Sequence, residues 1–473
     1  MKTKMKLSRW MVVAALLSAQ TGYVLAEDQS EELRQLKQQL QALDQKVKIL
    51  ERNRELEGEA AEAKAKTIPT VSLGAVGLNF SSPDSNFVFK IRGYIQSDTR
   101  TYLNEDVAGN DSFLLRRVRP IFEGTVFKNF EYKIMLDFGA NTSSAGNNIG
   151  NNNMLQDAFI NVHYWDEVQL QVGKFKEEVG LERLQSATRL WFVERGFPTL
   201  LAPNRDTGVQ LHGDIWGKTL NYSVGYFNGV PDGGSSDIET TDDYKDLAAR
   251  VFSQPFFKSD IEPLKNLGLG VAVTHGKHVG LLRNYVTGGQ QRFFTWRTGA
   301  GTAAAPNVIA DGDGGRIAPQ AYYFWGPFSV FGEYTVSSQE VKSTAGSVVT
   351  HGKFNNRAWQ VAGSYFLTGE ENSWDGITVK HPFALHGGGW GAWEIVARID
   401  GLKLDSDISP SYATASSALE ATEWGVGLNW HLNKNVKVSA DYLNTTFKGG
   451  GQAITDVTAH GEQVILTRVQ LAF

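Results

Sequence analysis

The sequence contains no cysteine, which excludes disulfides, thiolate metal sites and cysteine nucleophiles. Beyond its first 26 residues it also lacks any uninterrupted apolar stretch of the roughly 18 or more residues that a transmembrane helix requires. Such a chain crosses a membrane only as a closed barrel, because only helices and closed barrels satisfy every backbone polar group in lipid. An excess of basic charge is missing too. The formal charge is −5, and without Lys2, Lys4, Lys6 and Arg9 it is −9, so bulk electrostatics give no sign of a nucleic acid partner. No Gly-x-Ser-x-Gly elbow or His-Glu-x-x-His pair is present and the nine histidines are scattered, which argues against an enzyme. Proline is sparse, whereas glycine, asparagine and aromatics are abundant.

Residues 1–26 place Lys2, Lys4, Lys6 and Arg9 before the apolar run Trp10–Leu17 and end on Val24-Leu25-Ala26. A charged start, a short apolar centre and a small-residue site predict a cleaved signal peptide rather than a membrane anchor. Residues 27–66 then carry Leu33, Leu36, Leu40, Leu43, Val47 and Leu50 at alternating spacings of three and four. This is a heptad seam, and it predicts an α-helical coiled coil. Arg54 and Glu57 fill the next two seam positions, where the coil should fray. An isolated helix of this length is marginal in water, so the stripe implies a partner, most economically the same segment of other copies. The alternatives are a helix folded back on its own chain or a tether. Residues 67–86, with Pro69, Gly74, Gly77 and Pro83, read as a linker.

From Phe87 to Phe473 the period becomes two. Phe87, Phe89, Ile91 and Ile95 alternate with Lys90, Arg92, Tyr94 and Gln96, and Val436, Val438, Ala440 and Tyr442 with Lys437 and Asp441. Such strands have one apolar and one wet face. The connections separate a barrel from a soluble sandwich. Short turns are flanked by aromatics, as at Tyr164-Trp165-Asp166, Trp216-Gly217-Lys218 and Trp430-His431, whereas the intervening connections, such as Thr142–Asn153, Val230–Asp243 and Ser406–Leu419, are long and polar. Short turns on one side, long loops on the other and an aromatic girdle predict an all-β, transmembrane antiparallel β-barrel of about 16 strands in a Gram-negative outer membrane. The last strand ends on Phe473, in phase with Leu471, Val469 and Ile465. A terminal aromatic of this kind resembles the signal read by the barrel-assembly machinery.

The third long connection, Glu177–Arg205, differs from the others in carrying Val179, Leu181, Leu190-Trp191-Phe192-Val193 and Phe197-Pro198-Thr199-Leu200-Leu201. So much apolar surface cannot sit free in water, and a barrel offers its lumen wall, which predicts an inward-folded loop. The loop also holds Arg183, Ser186, Thr188, Arg189, Arg195 and Arg205. Arginine suits oxyanions because its planar fork offers paired N–H donors and stays charged at working pH. On the strand around Leu115–Pro120, Arg117, Arg119 and Glu123 share the face opposite Val118, Phe122 and Val126. They should therefore point into the lumen, since an arginine facing lipid at mid-depth costs about 2–4 kcal/mol. Arg116 is expected near a strand end. The competing role for these arginines is structural, in networks with Asp137, Asp157, Glu182 and Glu194.

These stretches resemble the phosphate-selective porin O and P family: Leu115–Pro120, Tyr132-Lys133, Leu136–Phe138, Gln156–Phe159, Val172–Lys176, Gly180–Arg183, Phe192–Arg195, Leu201–Arg205 and Gly208-Val209. The resemblance implies a homotrimer of sixteen-stranded barrels that sits in outer-membrane lipid, uses no cofactor or metal and passes small anionic solutes. Arg92, Arg116 and Arg117 match the family's basic wall positions, and Arg183 and Ser186 its loop site. The resemblance implies a lysine in the phosphate channels where Arg183 stands here, and a second serine where Ala187 stands. The family's extracellular arginine ladder is not evident, because Arg283, Arg292, Arg297 and Arg316 are scattered among glycines. The expected function is a passive anion channel with a constriction lined by Arg92, Arg116, Arg117, Arg119, Arg183, Ser186, Arg189, Arg195 and Arg205. The alternatives are a weakly selective diffusion pore, and an envelope-spacing protein in which the coiled coil works and the barrel anchors it. Two metal-like motifs carry less. His275 and His278 should lie on opposite faces of a strand, and Asp311-Gly312-Asp313-Gly314-Gly315 reads as a flexible loop lacking the distal glutamate of a calcium site.

Overall fold

The computed structural model describes residues 26–65, 67–104, 109–139, 154–236, 242–408, 410–450 and 461–473. The expected signal peptide, apart from Ala26, and the connection Thr142–Asn153 lie outside the described residues. The chain divides into two units, residues 1–68 and 69–473. In the first, α1 (Ala26–Ala65) is a single helix whose seam residues Leu33, Leu36, Leu40, Leu43, Val47 and Leu50 are all exposed. No described helix is long and apolar enough to cross a membrane.

The second unit opens with a hairpin, β1 (Thr70–Gly74) and β2 (Gly77–Ser81), whose second arm pairs with the start of β3. Residues 67–86 are thus more than the linker expected from their Gly and Pro, because Val71, Leu73, Leu78 and Phe80 form a short alternating pair. The wall follows as β3 (Phe87–Tyr102), β4 (Ser112–Val126), β5 (Phe130–Leu136), β6 (Leu155–Trp165), β7 (Val168–Lys176), β8 (Arg205–Ile215), β9 (Leu220–Phe227), β10 (Asp246–Ser253), β11 (Leu267–Leu281), β14 (Asn307–Trp325), β15 (Phe328–Ala345), β16 (Val348–Phe366), β17 (Ala392–Lys403), β18 (Ala418–His431), β19 (Val436–Gly450) and β20 (Glu462–Ala472). Each strand pairs antiparallel with its neighbour, and β20 pairs with β3, closing a sixteen-strand barrel without an edge. Two further strands, β12 (Tyr285–Val286) and β13 (Arg292–Phe294), form a separate hairpin in the loop between β11 and β14.

The outer face is set by the period-two pattern. Trp325, Tyr365, Trp393 and Trp430 mark the short-turn end, where the Trp393 and Trp430 rings stack with centroids 5.2 Å apart. Tyr334, Trp359, Trp424 and Tyr442 mark the other end of the apolar band. Two motifs behave differently from expectation. Asp311–Gly315 is part of β14, not a loop, because a register shift between Ala310 and Gly314 lets the glycine-rich run stay paired. Arg116 is not at a strand end but in a β-bulge, where Gln96 pairs with Arg117 and Ser97 with Leu115. The bulged residue leaves the alternation, and this brings Arg116 to the lumen beside Arg117. His275 is exposed while His278 is buried against Asp246 and Gln339, on opposite faces as the spacing requires.

Candidate functional site

The third long loop, residues 177–204, folds into the barrel and contains two single helical turns, α2 (Leu181–Leu184) and α3 (Pro198–Leu201). Its apolar side chains explain the fold. Leu181, Trp191, Phe192 and Val193 are buried against Phe331, Ala362, Val396, Leu443, Val464 and Leu466 of the wall, with the Trp191 and Phe331 rings 4.9 Å apart. Full burial of each such side chain contributes about 1.5–3 kcal/mol. The loop backbone is also tied to β14–β19. The Leu181 and Val193 amides donate to Glu333 and Asp441 at 2.7 and 2.6 Å, and the Phe197 amide donates to Asp400 at 2.9 Å. The carbonyls of Leu190, Trp191 and Glu194 accept from Lys437, Asn429 and Arg398 at 2.7, 2.8 and 2.9 Å. Gly196 permits this approach, since a Cβ there would meet Gln360 Oε1 at 2.1 Å.

Between the loop and β3–β8 lies a cavity of about 1080 Å³. All nine residues singled out in the sequence line it: Arg92, Arg116, Arg117, Arg119, Arg183, Ser186, Arg189, Arg195 and Arg205. So do Lys133, Lys176, Arg283 and Arg292, which were not proposed for the site. Lys133 and Lys176 were visible as inward positions on alternating strands. Arg283 and Arg292 arrive on a second inward-folded loop, residues 282–306, betrayed by Phe293, Phe294 and Trp296, all buried. Trp374 and Asp375, from the turn between β16 and β17, complete the lining on another side.

The cations fall into two groups. Six are paired with carboxylates: Arg92 with Glu123, Arg119 with Asp137, Lys133 and Arg205 with Asp157, Arg189 with Asp375, and Arg116 with Glu194 through both its Nε and Nη2. For Glu194, burial works against the charged form, but Arg116 outweighs it and holds the carboxyl below the usual range. The other six have no carboxylate within 4.0 Å among the described residues. Arg117 donates to Gln96 at 2.7 Å and Lys176 to the Leu184 and Gln185 carbonyls at 3.2 and 3.0 Å. Arg195 donates to the Glu182 and Gln185 carbonyls at 3.0 and 2.8 Å. Arg283 reaches the Gly233 carbonyl at 3.3 Å, and the Arg292 Nε is buried without a partner.

Arg183 is incompletely satisfied. It donates to the Thr199 carbonyl, and its buried Nε has no partner. Burial, with Arg195 and Arg205 close by, pushes its guanidinium down to about 9, so the charge persists at neutral pH but is held at a cost. On the same side of the loop, the exposed Ser186 hydroxyl lies 2.9 Å from that of Thr188. Desolvated arginines without carboxylates, beside a pair of hydroxyls, make a receptive site for an anion that accepts several hydrogen bonds.

A closed barrel with an apolar exterior and a charged, water-accessible interior is a transport channel of the outer membrane, a porin. The sequence profile of the phosphate-selective porin O and P family matches residues 89–473, and the chain belongs to that family. It is 24% identical to Porin O of Pseudomonas aeruginosa over 429 residues, spanning 81% of this chain and 90% of that protein. Its fold is similar to the outer membrane channel DcaP of Acinetobacter baumannii, with a TM-score of 0.51 at 12% identity, covering 83% of this chain and 99% of that one.

Proposed function

We propose that the channel passes small anions, phosphate or related oxyanions, through a constriction formed by the third loop and the arginines of β3, β4 and β8. One observation carries this reading: the cavity is lined by twelve Lys and Arg side chains against eight Asp and Glu, in a chain whose formal charge is −5. The sign is reversed where a solute must pass. The family's phosphate selectivity supports the choice of oxyanions, and the unpaired set Lys176, Arg183 and Arg195, with Ser186 and Thr188, supplies the donors such an ion needs. The exposed seam of α1 fits a homotrimer, each copy's helix covering the stripe of the others. Phe473, whose amide and carbonyl exchange hydrogen bonds of 2.9 Å with Gly93, fits recognition at the closing seam by the assembly machinery.

The experiment is conductance in planar bilayers across a salt gradient. The reversal potential should show anion preference, and millimolar phosphate should block chloride current. Arg183→Ala should relieve that block by roughly tenfold or more, the scale of one lost charge-assisted hydrogen-bonding partner. Cation preference in the parent channel would eliminate this reading in favour of a general diffusion pore.

A further inference from the structure

The outer surface carries a feature that the lumen chemistry does not use. Four residues stand directly opposite one another across β16–β19: Arg357 pairs with Lys403, Lys403 with Glu420, and Glu420 with Lys448. All four face outward, in the same phase as Trp359, Ile399, Trp424 and Tyr442. Within the row three cations thus share one carboxylate, and the nearby Asp405 accepts the Asn355 amide at 2.8 Å. Glu420 lies 3.9 Å from Lys403 and 3.8 Å from Lys448, and among the described residues Arg357 has no ion pair or hydrogen-bond partner. Like charges directly opposite on a sheet face are destabilising, so the Arg357–Lys403 pairing calls for an anion between them.

The height of this row identifies the source of that anion. Trp359 and Tyr334, which face each other across β15 and β16, lie two residues toward the barrel middle from it, a step of about 7 Å along a strand. The row therefore begins where the aromatic girdle ends, on the long-loop side, which in outer-membrane barrels is extracellular. Headgroups of the outer leaflet lie at that level. The outward positions toward the same end of β3, β4, β8 and β9 include Ser97, Thr99, Leu115, Thr207 and Tyr226, none of them charged, and on β14–β16 the outward Lys342 and Lys353 are each paired with an acid, Asp311 and Glu340, so the row differs from these neighbours in its excess of cations. We propose that this row binds a phosphate-bearing glycolipid headgroup of the outer leaflet. The Arg357 fork and the Lys403 ammonium hold one phosphate, Lys448 adds long-range attraction, and the lipid's acyl chains lie along Trp359, Val361 and Ile399 below.

The test uses the purified full-length channel in detergent and native mass spectrometry with added bis-phosphorylated lipid A. The parent should retain the lipid. The double variant Arg357→Gln, Lys403→Gln should lose retention by roughly tenfold or more, while Lys434→Gln on a short turn should bind like the parent. Heat-modifiable gel migration verifies that each variant is folded, and chloride conductance should be the same in all of them because the row lies outside the lumen. Lipid A stripped of phosphate should bind no better to the parent than to the double variant. The proposal is overturned by equal retention of phosphorylated and dephosphorylated lipid, by a double variant that binds like the parent, or by displacement of the lipid with millimolar inorganic phosphate, which would make the row a free-anion site.

Discussion

On β3–β8 the inward side chains that reach the cavity include Arg92, Arg117, Arg119, Lys133, Lys176 and Arg205, whereas on β15–β19 the inward charged residues include Glu333, Glu394, Asp400, Glu423 and Asp441. Four of these five acids are engaged by loop backbone, whereas Glu394 is met by Ser364, Asn429 and His431. Glu333 receives the Leu181 and Glu182 amides, Asp441 the Val193 amide, Asp400 the Phe197 amide and Glu423 the Gly288 amide. Neither Glu333 nor Asp441 touches the cavity. The second wall uses most of its charge to hold loops, its cations Arg398 and Lys437 included, and of its acids Asp400 and Glu423 line the cavity. The excess of Lys and Arg over Asp and Glu along the cavity goes with that division.

The most forceful way to break this division is to remove the acids that hold the third loop. In the double variant Glu333→Ala, Asp441→Ala, the amides of Leu181 and Val193 lose their acceptors inside the barrel, at about 1–3 kcal/mol for each buried group left unsatisfied. The sixteen-strand wall keeps its own hydrogen bonds, so the barrel should still fold. The loop should detach. We expect larger, noisier single-channel currents and loss of most of the phosphate block, although no cation has been altered. Parent-like conductance and block would show that the apolar contacts of Trp191 and Phe192 hold the loop without the carboxylates.

The same division explains what the sequence discloses. Inward and outward positions are readable because a strand has a period of two, so Arg117 and Arg119 follow from Val118 and Phe122. The third loop is readable because Trp191-Phe192-Val193 is out of place in a solvated connection. The bulge that turns Arg116 inward has no local signature, since Leu115–Pro120 would pair equally well without it. The partners of the loop are hidden for another reason: Leu181 and Glu333 are 152 positions apart, and only the closed register brings them together. Arg283 and Arg292 were legible in principle, since Phe293, Phe294 and Trp296 give the second inward loop the same apolar mark as the third.

A finer perturbation separates charge from geometry on the cationic wall. Arg183→Lys keeps the cation but removes the planar fork, including the Nε that has no hydrogen-bond partner. If the charge excess alone sets selectivity, the reversal potential should match that of the parent. If the fork grips the solute, the phosphate block should weaken by a few-fold, since lysine offers a point charge in place of paired donors. A block that tightens instead would mean that a lysine makes the better phosphate contact at this position, and that Arg183 marks a different preferred oxyanion.

The smallest effect on conduction should come from the segment that contributes no residue to the cavity. Helix α1 exposes Leu36, Leu40, Leu43 and Leu50 at 61–67%, a loss of favourable burial at every turn unless other copies cover the stripe. Deleting residues 27–66 should leave single-channel conductance and phosphate block unchanged, because every cavity residue lies beyond position 91. It should lower the temperature at which trimers dissociate on gels, since each buried leucine contributes about 1.5–3 kcal/mol. An unchanged dissociation temperature would assign trimer stability to the barrel walls alone. If the deletion instead released the protein from the cell wall while the trimers stayed intact, the helix would be a spacer whose apolar stripe meets an envelope partner, and lumen and helix would serve separate functions.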